Sequence, residues 1–324
     1  MYYPVYLKKN DGQYIIIPKF FDSQNHQAKV KGIKRNGDGI LAKRVRKMIF
    51  DRKVSKSRNP GLWVLLFLTL IFSMINRYSY ASGPKPATDF ESGTFHDNQG
   101  GTLLYRLLKP LPENANGLNQ YPLLLYLHGT GERGTDNLKQ LKYIDVFDQS
   151  SFRQKYPSFV VVPQCPAEEN WVEKESYSGT VPQSSRPARP LWQTVELLRQ
   201  LQNKLPVDPD RIYVLGISSG GSGVWDLIAR YPRMFAAAAP FCGSGDDQKA
   251  GLMTNIPIWA FHGGRDILVN PNTTRKMVQA IQTAGGHPKY TEYPNMFHNV
   301  WNKAFHDPQF FQWLFEQKRV GDPH

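Results

Sequence analysis

Arg211-Ile212-Tyr213-Val214-Leu215-Gly216-Ile217-Ser218-Ser219-Gly220 is the stretch whose reading decides the fold, together with the run Ser222-Gly223-Val224-Trp225-Asp226-Leu227-Ile228-Ala229-Arg230 just after it. Residues 212–215 are short, β-branched and aromatic, the signature of a buried strand. Val224, Leu227 and Ile228 recur at helical spacing, so the second run reads as a helix with one buried face. Between the two, Ser218 is framed by Gly216 and Gly220. A serine on a sharp strand-to-helix turn needs neighbours without Cβ atoms, because the backbone there is strained and crowded. The framed pattern alone arises by chance about 0.1 times in a chain this long. Its strand-before, helix-after context makes Ser218 a candidate nucleophile.

Working outward, strand-like and helix-like segments alternate. Strands are expected over 121–127, 158–163, 235–240, 256–261 and 290–293, and helices over 191–205, 273–284 and 310–318. A β-hairpin is expected over 88–110, turning at Gly100-Gly101. Such alternation predicts an α/β fold, a mostly parallel sheet with helices on both faces. Reactive groups in such sheets collect beyond the carboxyl ends of the strands. Only residues 244–255 separate the two strands after the elbow helix, enough for one short helix and no large lid. The site is therefore expected to be open, which suits bulky or polymer-linked substrates better than lipids.

A serine hydroxyl becomes a nucleophile when a base takes its proton and a third group orients that base. Downstream lie His262-Gly263-Gly264-Arg265-Asp266, at a strand end, and Pro294-Asn295-Met296-Phe297-His298, after the last strand. Ser218, Asp266 and His298 thus follow the order Ser…Asp…His. Asp246 or Asp247 is the alternative acid, and Asp266 could instead merely cap a turn. His128 and His262, each before a glycine at a strand end, read as structural. An acyl-transfer site also needs donors where charge develops on the carbonyl oxygen. The Ser219 N–H is one candidate, and Thr130 or Gly131 supplies the second. Trp171, in the long polar loop 167–190, is a candidate wall of the substrate site, with simple packing against the rim as the equal alternative.

Five segments carry a resemblance: 128–134 (HGTGERG), 163–166 (PQCP), the elbow at 216–221, Tyr231-Pro232 with Phe235, and 262–266 (HGGRD). Together, over about residues 88–318, they resemble secreted α/β-hydrolase esterases of the polyhydroxybutyrate-depolymerase-like, feruloyl-esterase-like and dienelactone-hydrolase-like kind, also labelled prolyl-oligopeptidase-like. The resemblance implies the α/β-hydrolase fold with an eight-stranded-type sheet, a Ser218–Asp266–His298 triad, and Glu132 and Arg133 as supports of the oxyanion loop. Asn270 departs from the pattern, which has proline there; Asp266 is unaffected. The expected activity is hydrolysis of carboxylic esters. A serine peptidase and a catalytically dead binding protein are the rival readings.

The net charge is +13, yet 16 Lys+Arg against 4 Asp+Glu fall in residues 1–81 and 24 against 23 in residues 82–324. The basic excess belongs to the front end, which removes the main support for a nucleic-acid partner. Residues 62–75 are an apolar run preceded by Arg52, Lys53, Lys56 and Arg58 and followed by Ser79-Tyr80-Ala81. That is the layout of a signal peptide, and the run is shorter than the roughly 20 residues that span a bilayer. The expected organisation is an extension at 1–47, a signal peptide at 48–81 with translation starting at Met48, and a catalytic domain at 82–324. The protein is expected to be secreted or periplasmic, touching the membrane only transiently; an uncleaved anchor is the alternative. Cys165 and Cys242 follow strands expected to lie three neighbours apart, about 14 Å, so both are expected to be free, buried thiols. No metal-ligand spacing or phosphate loop occurs, and no cofactor is expected.

Overall fold

The computed structural model describes residues 3–8, 14–19, 89–111, 120–173 and 179–319. The chain divides into two units, Met1–Tyr78 and Ser79–His324. In the first, β1 (Tyr3–Lys8) and β2 (Tyr14–Lys19) pair antiparallel, a sheet that the reading of 1–47 as a plain extension did not anticipate. The expected leader at 48–81, its apolar core and Met48 lie outside the described residues. Among the described residues no helix is long and apolar enough to cross a membrane.

The second unit is built on an eight-stranded sheet. In chain order its strands are β3 (Glu91–His96), β4 (Thr102–Leu108), β5 (Tyr121–Leu127), β6 (Phe159–Gln164), β7 (Val207–Ile217), β8 (Ala237–Phe241), β9 (Trp259–Gly263) and β10 (Lys289–Tyr293). In space the order is β10-β9-β8-β7-β5-β6-β4-β3. The pairings from β10 to β6 are parallel, and only β4 with β6 and β3 with β4 are antiparallel. The hairpin turns at Gly100, which has a φ of 80°. Asp97 locks that turn by accepting from the Gly101 N–H (2.7 Å) and from Gln193 Nε2 (2.7 Å).

The central strands are buried on both faces, which is why they read as unbroken apolar runs. Along β5, Leu123, Leu125 and Leu127 enter one core, and Leu124 and Tyr126 the other. The first core is covered by α3 (Arg189–Lys204), α4 (Ser219–Arg230) and α5 (Asn272–Thr283), through Leu198, Leu227 and Met277 among others. On the second face pack two short helices, α1 (Asp145–Asp148) and α2 (Ser150–Lys155), and the closing pair α6 (Trp301–Ala304) and α7 (Pro308–Glu316). Their Phe147, Phe152, Trp301, Phe310 and Phe311 form an aromatic layer there. Tyr213 Oη donates to Gln317 O (2.8 Å) and ties the chain end to β7. Between β8 and β9 only a 3-10 helix, Asp247–Met253, intervenes.

Cys165 and Cys242 follow β6 and β8, with β5 and β7 between them. Both are buried and neither forms a disulfide.

Candidate active site

The elbow has the geometry its glycines imply. Ser218 has φ 55° and ψ −120°, a left-handed conformation that L-residues rarely hold. A Cβ at Gly216 would lie 2.4 Å from Gly220 O, and one at Gly220 would lie 2.1 Å from Leu127 O. Both contacts are with backbone, so no side chain can yield and only glycine fits. The Ser218 N–H donates to Phe241 O (2.8 Å), pinning the turn to the end of β8.

Three residues spread over 80 positions of sequence meet here. His298 Nε2 is 2.9 Å from Ser218 Oγ, and His298 Nδ1 is 2.6 Å from Asp266 Oδ2. The tautomer follows from the partners: Nδ1 carries the hydrogen toward the carboxylate, and Nε2 accepts from the hydroxyl. Asp266 is buried, and its Oδ1 accepts from the N–H groups of Leu268 (2.9 Å) and Val269 (3.0 Å). Burial opposes ionisation of this carboxyl, but its hydrogen bonds from His262, His298 and Val269 outweigh that and hold it far below the usual carboxylate range. The His298 and Trp301 rings pack edge to face, their centroids 5.4 Å apart and their planes at 89°. Ser218 and His298 are both half-buried.

The loop after β5 lies against the elbow. A Cβ at Gly129 would be 3.4 Å from Ser218 Cβ. Thr130–Glu132 make one 3-10 turn, with the Glu132 N–H on Gly129 O (3.2 Å) and the Arg133 N–H on Thr130 O (3.5 Å). Those bonds leave the Thr130 and Gly131 N–H groups at the open end of the turn. Arg133 braces it, donating to Thr130 O (3.2 Å), Glu169 O (2.9 Å) and Asn170 Oδ1 (2.6 Å). Glu132 is buried beneath, and burial pushes its carboxyl up. Gln164 completes the brace: its amide donates to Glu132 O (3.2 Å) and accepts from the Asn137 N–H (2.7 Å).

The two strand-end histidines hold these loops from inside. Nε2 of His128 accepts from the Cys165 N–H (2.9 Å), so Nδ1 bears the hydrogen and donates to Gly129 O (2.7 Å). Burial lowers its pKa to about 4, which keeps the ring neutral. His262 stands behind Asp266, with Nε2 3.2 Å from Asp266 Oδ2.

One sequence expectation is corrected. Trp171 does not line the site: it is 1 % exposed, its Nε1 donates to His128 O (2.9 Å), and its ring meets His128 edge-on at 5.1 Å. An indole has one donor and a large apolar body, and both are consumed in supporting the loop. The alternative acids are also accounted for. Asp246 accepts from the Gln183 N–H (2.8 Å) and the Gln248 N–H (3.0 Å), and Asp247 accepts from Thr180 (3.0 Å). Both therefore tie the 179–183 loop to the start of the 3-10 helix.

What residue-by-residue reading missed was the neighbourhood of Asp266. The Cys242 thiol, held by a backbone at φ 48°, donates to His298 O (3.2 Å). Burial, and secondarily the Asp266 charge, push that thiol well above its ordinary range. Cys242, His262 and Asp266 bring ligand-type atoms within 4.8 Å of one another. The thiol and the His262 N–H already point at protein acceptors, so the group is a hydrogen-bond cluster.

Comparison with known proteins agrees with this fold. The dienelactone hydrolase family matches residues 181–308, a span that contains Ser218, Asp266 and His298. A secreted protein of Arthroderma benhamiae is 25% identical over 232 residues, 61% of this chain but 24% of its own length. A protein of Oryza sativa subsp. japonica named a probable carboxylesterase is 23% identical over 62% of this chain and 90% of its own. The crystal structure of a thermostable esterase is 34% identical, with a TM-score of 0.65, over 72% of this chain and 64% of that one. The chain thus spans about a quarter of the fungal relative and somewhat under two thirds of the esterase. With its eight-stranded sheet and glycine-framed elbow, it has the α/β-hydrolase fold and is similar to esterases of that fold.

Proposed function

We propose that this protein is an exported serine esterase that hydrolyses carboxylic esters through an acyl-enzyme. The observation that carries the reading is the continuous chain Ser218 Oγ–His298 Nε2 (2.9 Å) and His298 Nδ1–Asp266 Oδ2 (2.6 Å) at a strained elbow. In the proposed reaction Ser218 Oγ attacks the ester carbonyl carbon while His298 Nε2 takes its proton. The oxyanion forms against the Ser219 N–H and the N–H groups of Thr130 and Gly131. His298 then returns the proton to the departing alkoxide, and the alcohol leaves. Water, deprotonated by the same nitrogen, attacks the acyl carbon; the bond to Ser218 Oγ breaks, His298 returns the proton to that oxygen, and the acid leaves.

Bulky or polymer-linked esters, such as acyl or feruloyl groups on polysaccharide or a polyester, are the proposed substrates. Two features support this. Only the short 3-10 helix separates β8 from β9, so that segment builds no lid. Ile267 (84 %), Leu268 (60 %) and Phe297 (55 %) stand exposed within two residues of Asp266 and His298, an apolar rim that contributes to binding only if substrate covers it. Export rests on the leader-like layout of residues 48–81; sequencing the exported protein should find Ser82 at its N-terminus.

The test is a panel of p-nitrophenyl acetate, methyl ferulate, acetylated xylan and a peptide anilide, with Ser218→Ala alongside. Esters should be cleaved, and Ser218→Ala should lose on the order of 10⁴-fold or more in kcat. Activity retained in Ser218→Ala removes the triad reading, and cleavage of the anilide alone moves the function to a peptidase.

A further inference from the structure

His262 closes β9 and is sealed in the interior. Its Nδ1 lies 2.7 Å from Thr274 Oγ1 on α5. Its Nε2 lies 3.0 Å from Val269 O and 3.2 Å from Asp266 Oδ2. A backbone carbonyl and a carboxylate oxygen can only accept, so Nε2 must carry the hydrogen. This holds whichever way the Thr274 hydroxyl turns, toward Nδ1 or toward Gly243 O (3.2 Å). The same Asp266 Oδ2 that holds His298 therefore lies 3.2 Å from a second imidazole N–H, which it shares with Val269 O, while Oδ1 takes two backbone N–H groups.

We infer that His262 is a positioning residue for ester hydrolysis: by donating from Nε2 to Asp266 Oδ2 it fixes the carboxylate and divides its charge between two imidazoles. The inference rests on reading Ser218, His298 and Asp266 as the triad. His262 touches neither substrate nor Ser218 and acts through Asp266 alone. Two further titratable groups face the pair, Cys242 and Glu292. Cys242 approaches from the end of β8 with its thiol on His298 O. Glu292 is the register partner of His262 on β10. Its charge is answered by Arg275 of α5 at 2.6 Å, and Tyr290 Oη donates to it at 2.6 Å. Glu292 thus has partners of its own, and Cys242, buried and uncharged, adds no charge. That leaves the Asp266 charge to the two histidines.

Removing the His262 donor returns the whole of that charge to His298, so the acid limb of the pH–rate profile moves to higher pH. In full-length protein, His262→Leu should lower kcat/KM on the order of 10-fold and shift the acid limb upward by about half a pH unit. His262→Gln keeps an amide N–H in reach of Asp266 and should restore most of both. A uniform loss at every pH, with the limb unmoved and Gln no better than Leu, overturns the inference. Ser218→Ala measured in parallel separates the two readings. If it stays active the triad itself falls; if it is inert and the His262→Leu limb is unmoved, only the role of His262 falls. ¹⁵N-histidine NMR of the unmutated protein gives a test that needs no variant to fold. His262 Nε2 should bear a hydrogen across the active pH range, and a ring protonated on Nδ1 alone refutes the assignment.

Discussion

Residues 128–129 and 262–263 are both His-Gly, both close a buried parallel strand, and both present a fully buried imidazole. They nevertheless hold opposite walls of the site by opposite means. His128 accepts at Nε2 from a backbone N–H, gives its hydrogen to the adjacent Gly129 carbonyl, and braces the loop after β5 as a neutral ring. His262 donates at Nε2 toward a carboxylate and a carbonyl and braces the acid side. The difference lies in what the neighbouring segment offers: the Cys165 N–H just after β6 points at His128, whereas the loop after β9 folds Asp266 back onto His262. The same dipeptide near the carboxyl end of two parallel strands takes its role from its surroundings.

The comparison breaks most severely at Asp266. Asp266→Asn keeps the shape but leaves His298 in the wrong tautomer, and kcat on p-nitrophenyl acetate should fall about 10⁴-fold with the melting temperature little changed. No substitution confined to the outer surface of the oxyanion loop should approach that loss.

The two loops also differ in how tightly their glycines are enclosed. A Cβ at Gly263 would lie 2.0 Å from Phe297 O, backbone against backbone on the segment that carries His298, whereas a Cβ at Gly131 meets nothing within 4 Å. Gly263→Ala should therefore cost about 3 kcal/mol in urea unfolding and about 10²-fold in kcat/KM through displacement of His298. Gly131→Ala should change stability by no more than about 0.5 kcal/mol. Equal effects from the two would mean that the walls are equally yielding.

The smallest effect separates the histidines by pH. His128 has its pKa lowered from 6.5 to about 4 in the folded protein, so between those values the unfolded chain binds a proton that the native protein refuses. Its contribution is fully present above 6.5 and is lost as pH falls toward 4, amounting to at most about 3 kcal/mol. His128→Gln should flatten the decline of stability between pH 6.5 and pH 4.5. The ionised Asp266, whose carboxyl is held below its ordinary 3.8, loses its contribution only on further acidification, so the two windows do not overlap. A decline unchanged in His128→Gln would show that the ring does not stay neutral on acidification.

Much of this was legible in the residues. The alternation of apolar runs and helical faces predicted the sheet, because central strands buried on both sides must be apolar throughout. Strand ends were less sharp: the run expected over 256–261 is a strand at Trp259–Gly263, since hydrophobicity marks burial and not the last ladder bond. Ser218 was legible because glycine framing is a local steric requirement. Asp266 and His298 were legible because chain order and strand ends limit where an acid and a base can sit. Trp171 was ambiguous, since an indole in a polar loop packs inward or faces a ligand with the same sequence signature. His262 and Cys242 looked structural one by one, and their contact with the triad acid was invisible.

By itself, then, the sequence determined the elements and the strained serine turn, and it singled out the acid and base proposed as its partners. Each of these follows from chemistry within a few residues or from the order of strands. Only the tertiary structure decided that Trp171 supports a loop, that Gln164 stitches it, and that two imidazoles share the Asp266 carboxylate. Those facts depend on which strand ends the sheet brings side by side. A hydrogen bond is decided within a few tenths of an ångström across residues tens of positions apart, and no local pattern encodes that distance.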